Sequence, residues 1–176
     1  MNPKERILEV ATKLFYQQGY NRTGINQIIK DAEVAKASFY QYYPSKEDLL
    51  VDYLTTVSKK SMDDMRSFIQ DKENYKEKIL GLFDRLNHFV TNTNFQGCSF
   101  LNVSAEIPKD SLKVNAIIIN QKNKVRNLIT EILEGSGKEN IADEIYILFD
   151  GAFATTKIYN DVWPITISKN IVKKLL

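Results

Sequence analysis

Apolar residues in this chain recur almost everywhere at intervals of three and four, in stretches separated by short polar breaks. That spacing builds one face of an α-helix and not the alternating face of a half-buried strand. Seven Gly and four Pro in 176 residues also disfavour a turn-rich β fold. The expected fold class is therefore all-α, with about nine helices, in a chain long enough for one or two small domains.

The first helix opens at Asn2-Pro3, a cap followed by a proline at its first position, and carries Ile7, Leu8, Ala11, Leu14 and Phe15. Gly19 is expected to end it in a left-handed conformation. Thr23 is placed to cap a short second helix with Ile25, Ile28, Ile29 and Ala32 on its stripe. A third runs from about Ala35 to Tyr43 and stops at Pro44. Ser45 caps a fourth, with Asp48 at the capping-box position, and its stripe extends past Met65. A fifth helix follows residues 71–74 and carries Ile79, Leu82, Phe83, Leu86, Phe89 and Val90. The remainder divides into a short apolar segment from Cys98 to Glu106, a long helix from Leu112 to Glu134, one from Ile141 to Asp161 capped by Asn140, and a terminal one from Ile165 beyond a break at Trp163-Pro164.

Composition narrows the chemistry. One Cys and one His exclude a disulfide framework and a Cys/His zinc site, so neither a metal nor another cofactor is expected. No apolar run approaches a membrane span, and the N-terminus does not read as a signal peptide. A cytoplasmic protein without a membrane partner is expected. The net charge of +2 resides in residues 1–60, which hold nine basic and seven acidic residues, and Val34 to Lys46 contains two lysines and no acid. Gly135-Ser136-Gly137-Lys138 is not a phosphate loop, because Ile132 stands where its first Gly belongs and a helix, not a strand, precedes it.

Only Glu33-Val34-Ala35 separates helices two and three, a turn of helix-turn-helix length. On helix three, Phe39 and Tyr43 face inward. Lys36, Ser38, Tyr40, Gln41 and Tyr42 are left outside, a face suited to phosphate contacts through phenol hydroxyls and to base edges through Lys, Ser and Gln. Lys46 starts helix four, where free amides already favour a phosphate. An ordinary exposed face on a three-helix module fits the same pattern.

Residues 6–54 resemble the DNA-binding domain of the TetR family of transcriptional regulators. The resemblance is carried by Ala11, Leu14 and Phe15, by Gly19-Tyr20, by Thr23, Ile28, Val34, Lys36, Ser38 and Tyr40, and by Tyr43-Pro44-Ser45-Lys46-Glu47. It implies phosphate contacts from Thr23 and Lys46, backbone or groove-wall contacts from Tyr40 and Tyr42, and base contacts from Lys36, Ser38 and Gln41. Two positions depart from the family. Glu33 stands where Gly is usual, and Ala35 where a Ser or Thr cap is usual. A left-handed Glu33 costs about 1 kcal/mol and a lost cap about as much, so either the turn differs or the headpiece is soft until it docks.

The resemblance further implies a DNA-binding domain over 1–46 and a regulatory domain over 47–176 that binds a small molecule and dimerises. The expected function is a ligand-responsive regulator of a palindromic operator, acting as a repressor released by a hydrophobic effector. The alternative is an all-α small-molecule binding protein or enzyme with a vestigial headpiece. Tyr53, His88, Phe89, Asn92, Phe95, Asn102, Tyr146, Phe149 and Phe153 are the candidate effector contacts, with plain core packing the competing role for most. Dimerisation has independent support. The helix from Ile141 is apolar on one face at Ile145, Leu148, Ala152 and Tyr159, and on a second at Ile147, Gly151, Ala154 and Ile158, so it must bury both. Cys98, after Gly97 at a helix start, is a possible redox sensor, although free cysteines are more often inert and buried.

Overall fold

The computed structural model describes residues 1–176. They form nine α-helices, α1 (Pro3–Gln18), α2 (Ile25–Asp31), α3 (Lys36–Tyr42), α4 (Lys46–Ile69), α5 (Tyr75–Asn92), α6 (Ser99–Ser104), α7 (Leu112–Leu133), α8 (Ala142–Tyr159) and α9 (Trp163–Leu175). A single 3₁₀ turn, Glu139–Ile141, precedes α8. None is long and apolar enough to cross a membrane. The chain divides into two compact units, residues 1–58 with 99–119, and residues 59–98 with 120–176.

In the first unit, α1 packs on α2 and α3. Asn2 opens α1 with a full capping box, its side chain accepting the Glu5 N–H while Glu5 accepts the Asn2 N–H, each at 2.9 Å. Ile7, Ala11, Phe15, Ile28, Phe39, Tyr43, Leu49, Leu50, Tyr53 and Leu54 are buried. Phe15 sets its ring edge-on to both Tyr20 and Tyr53, at 5.4 and 5.5 Å. Gly19 has the expected positive φ, but its ψ of 160° lies outside the left-handed helical region.

The α2–α3 turn is a Schellman motif. The Glu33 N–H donates to the Lys30 carbonyl at 3.1 Å and the Val34 N–H to the Ile29 carbonyl at 3.2 Å, with Glu33 left-handed at φ 51°. The turn therefore keeps its geometry despite lacking glycine, and Glu33 carries the strain. Arg6 donates to the Glu33 carbonyl at 3.2 Å, while its own Nε is buried without an acceptor. Ala35 is the N-cap of α3 and offers no side-chain bond. Ser45 does cap α4, accepting the Asp48 N–H at 3.1 Å.

The second unit packs α8 along α9, with both resting on α5. Phe83 and Phe149, and Phe89 and Phe153, meet edge to face at 5.4 and 5.8 Å. Arg85 is buried, paired with Asp64 at 2.6 Å and stacked 4.9 Å from the Phe89 ring centre.

Three expected boundaries shift. Gly24, not Thr23, is the N-cap of α2, because the Thr23 hydroxyl is already donated back to the Gly19 carbonyl at 2.7 Å. Asn140 lies inside the 3₁₀ turn, and Ile141 precedes α8 without a side-chain cap. Trp163-Pro164 does not break a helix but opens α9, where the missing proline N–H has no helical partner to lose. The break is Asn160, left-handed at φ 50°.

Replacing Glu33 with Gly should relieve the left-handed strain, and Ala35→Ser should supply the missing cap. Each is expected to stabilise the headpiece by about 1 kcal/mol. Thermal unfolding followed by circular dichroism should show a higher midpoint for each variant, and an unchanged midpoint for both would mean that neither feature strains the turn.

Candidate nucleic-acid interface

Helix α3 is seven residues long and held on one side only, by Phe39 from within and Tyr43 just past its end. The Tyr43 hydroxyl donates to Asp52 at 2.7 Å, and Asp52 also pairs with Lys4 at 3.2 Å. Burial first, and then Asp52, raise the Tyr43 pKa far above the ordinary phenol value. This end of α3 is therefore pinned to α4 and α1 by a neutral phenol.

The opposite face is open. Lys36, Gln41, Tyr40 at 42% and Tyr42 at 38% are exposed, and Ser38 is half-exposed. Tyr40 leans edge-on against Phe39 at 5.3 Å, which holds its ring on the rim of the face. Five polar or amphipathic side chains with no acid among them thus share one surface of a short helix. Such a surface can offer a cation, hydroxyls and an amide to a groove.

Lys46 sits at the first position of α4, where the leading amides have no intrahelical acceptors. Its ammonium does not swing free but lies 4.1 Å over the Tyr20 ring. Burial lowers its pKa, and the negative charge of Glu106 works against that shift. Glu47 and Asp48 share the same first turn, so the positive end of α4 is confined to Lys46. Tyr20 was present in the sequence motif, but nothing in the sequence assigned it the role of a platform under Lys46.

Thr23 departs from expectation. It is fully buried, donates to Gly19 and accepts from Gln18 Nε2 at 3.1 Å. Its hydroxyl is used up in fixing the turn after α1, so Thr23 is a scaffold residue and not an exposed phosphate contact.

The candidate effector residues scatter. Tyr53 and Asn102 belong to the first unit and the others to the second. Tyr53, Phe149 and Phe153 are buried core. His88 is exposed, 2.7 Å from Asn92 on the next turn of α5. Phe89 and Phe95 are half-buried. Tyr146 is partly buried, and burial first and Asp150 next raise its pKa. A groove of about 370 Å³ in the second unit lies instead between α5 and α9, over Leu80, Phe83 and Ile165, with Asp84 paired to Lys169 at its edge. It is lined by none of the candidate effector residues.

Cys98 is buried at 8% exposure. Lys122 donates to its sulfur at 3.9 Å and to Asp150 at 2.5 Å. Burial pushes the Lys122 pKa down, but Cys98, Asp150 and Tyr146 outweigh it and leave the ammonium above its ordinary value. Gly97 has φ 82°, and a Cβ there would stand 2.7 Å from the Lys157 side chain.

On α8 the expected second face is open to solvent, with Ile147 66% and Ile158 76% exposed and Gly151 and Ala154 between them. The expected first face needs correction. Ile145 and Ala152 are buried, but Leu148 is only half-buried and Tyr159 is exposed. Phe149, Phe153 and Thr156 complete the inner side instead.

Residues 7–53 match the family model of bacterial regulatory proteins, tetR family. The transcriptional repressor NemR of Escherichia coli is 28% identical over 98% of this chain and 93% of its own length. Among solved structures, a TetR-family transcriptional regulator from Streptomyces coelicolor superposes with a TM-score of 0.89 at 22% identity, over 98% of this chain and 93% of that one. The reduced form of E. coli NemR superposes with a TM-score of 0.85 at 24% identity, over 99% and 98%. Residues 7–53, from α1 into α4, thus match the tetR family of bacterial regulatory proteins with the helix-turn-helix built as described, and the whole chain has the fold of the TetR-family regulators it superposes on.

Proposed function

We propose that this DNA-binding regulator works as a homodimeric repressor that leaves a palindromic operator when a small hydrophobic effector binds. The observation that carries the reading is the acid-free outer face of α3, held by the Schellman turn and flanked by Lys46. Lys36, Ser38 and Gln41 would meet base edges, and Tyr40, Tyr42 and Lys46 the phosphate backbone. Residues 1–46 would be the DNA-binding part and 47–176 the effector and dimerisation part, working in the cytoplasm. The similarity to a protein named a repressor favours repression over activation.

The exposed stripe of Ile147, Gly151, Ala154 and Ile158 on α8 favours pairing with a second copy, because large apolar side chains left in water mark a partner surface. Ile167 and Ile171 are exposed on α9 in the same unit. Gly151 would allow close approach of two helices, since nothing within its own chain fills the space above it. Two copies would carry two headpieces to two half-sites.

An effector is best accommodated in the second unit, where Phe83, Phe89, Phe149 and Phe153 supply an aromatic interior. Release requires that the effector bind the released geometry more tightly than the DNA-bound one. Helix α4, continuous from Lys46 to Ile69, is the lever that would register the change.

The DNA contacts are tested by fluorescence anisotropy with a duplex taken from upstream of its own gene. Lys46→Ala should weaken binding to operator and random duplex alike and flatten the slope of log K against log salt by roughly one per subunit. Gln41→Ala should relax base preference with the slope unchanged. Unaltered affinity and slope in both variants would refute the headpiece assignment.

Gly151→Glu would bring two like charges into the helix crossing. Sedimentation velocity should show monomers, and operator affinity should fall with the loss of the paired half-site. An intact dimer of this variant would put the interface elsewhere.

Cys98→Ser should keep the effector response, because the buried thiol reads as packing. Operator release by an electrophile or oxidant in the wild type, lost in Cys98→Ser, would instead make Cys98 the sensor.

A further inference from the structure

We propose that Glu106, which lies outside the segment matching the family, is a positioning residue for DNA binding: it clamps the turn after α1 and so sets where Tyr20 and Lys46 stand. The inference rests on the reading of Lys46 as a phosphate contact.

Glu106 follows α6 in the first unit, and its backbone is fixed by donation to the Val103 carbonyl at 2.9 Å. It reaches across 85 positions of sequence to residues 19–21. The Asn21 N–H donates to its carboxylate at 2.7 Å, a short charge-assisted bond, and Asn21 Nδ2 donates to its carbonyl at 2.9 Å. One residue thus holds another at two points. Gly19 makes room for the clamp, since a Cβ there would lie 2.7 Å from a carboxylate oxygen of Glu106, and its φ of +92° disfavours a side chain independently.

Tyr20 stands between Gly19, beside which the Glu106 carboxylate lies, and Asn21, which Glu106 holds. Its ring is fixed edge-on against Phe15 and carries the Lys46 ammonium 4.1 Å above it. Whatever fixes Asn21 and the space beside Gly19 therefore steadies the platform under the α4 cation. The buried core of the headpiece does not include Glu106. Its loss should blur the placement of Lys46 more than it unfolds the unit. Glu106 also adds a negative charge near Lys46 that a phosphate would have to outcompete, so charge and hydrogen bonding act in opposite directions on DNA affinity.

The full-length protein is tested with the same upstream duplex and a scrambled one of equal length. Glu106→Ala should bind both about tenfold more weakly with an unchanged salt slope, because no phosphate contact is deleted, and the Asn21 amide should exchange with solvent at least tenfold faster by NMR. Glu106→Gln retains the acceptor and should restore slow exchange, with affinity equal to or above wild type. Asn21→Ala, which removes half of the clamp, should weaken binding at an unchanged slope, and it serves if Glu106→Ala does not fold. Wild-type affinity in Asn21→Ala or in folded Glu106→Ala, or a Gln variant as weak as the Ala variant, overturns the proposal. If Lys46→Ala weakens binding while these variants do not, only the clamp is wrong. If wild type binds neither duplex, the DNA reading fails and the clamp with it.

Discussion

The left-handed turn at Glu33 is the constraint on which the headpiece depends. Two backbone hydrogen bonds, Glu33 to Lys30 and Val34 to Ile29, force a positive φ at the residue between them. Glycine would meet that demand without strain; a glutamate stores about 1 kcal/mol there. The conformation persists because leaving it would cost both bonds and the Arg6 contact to the Glu33 carbonyl. It is this turn that aims α3, and with it Lys36, Ser38, Tyr40, Gln41 and Tyr42.

A second dependence runs through the segment after α1. Thr23, Gln18 and Gln27 form a closed hydrogen-bonding set, with Gln18 donating to Gln27 at 2.9 Å. This set spends polar groups on internal geometry that a surface reading would give to DNA. The outer face of α3 is the reverse case, in which polar groups have no internal partner and remain available. Which of these two fates a threonine or a glutamine meets depends on neighbours that sequence spacing does not report.

Helix α8 shows the same division for apolar groups. Its residues repeat on two faces, and one of them packs through Ile145, Phe149, Ala152 and Phe153 against its own unit. The other, through Ile147 and Ile158, is left in water. Covering that stripe with a second copy would remove the exposure that a lone chain cannot remove for itself. Phe149, expected as an effector contact, is buried with its ring edge-on to Phe83 at 5.4 Å.

The sequence by itself determined the helical fold, most helix limits, the helix-turn-helix and the outward set Lys36, Ser38, Tyr40, Gln41 and Tyr42. These follow from periodicity, caps and breakers, which act over a few residues and are written locally. Pro164 was misread because a proline opens a helix as readily as it ends one. Only the tertiary structure decided that Thr23 is buried, that Lys46 rests on Tyr20, and that Glu106 reaches back 85 residues to Asn21. It alone also showed that Tyr53, Phe149 and Phe153 are buried while Phe89, Phe95 and Tyr146 are only partly so. Burial and pairing are properties of surfaces brought together by folding, and a side chain's role follows from what it then touches.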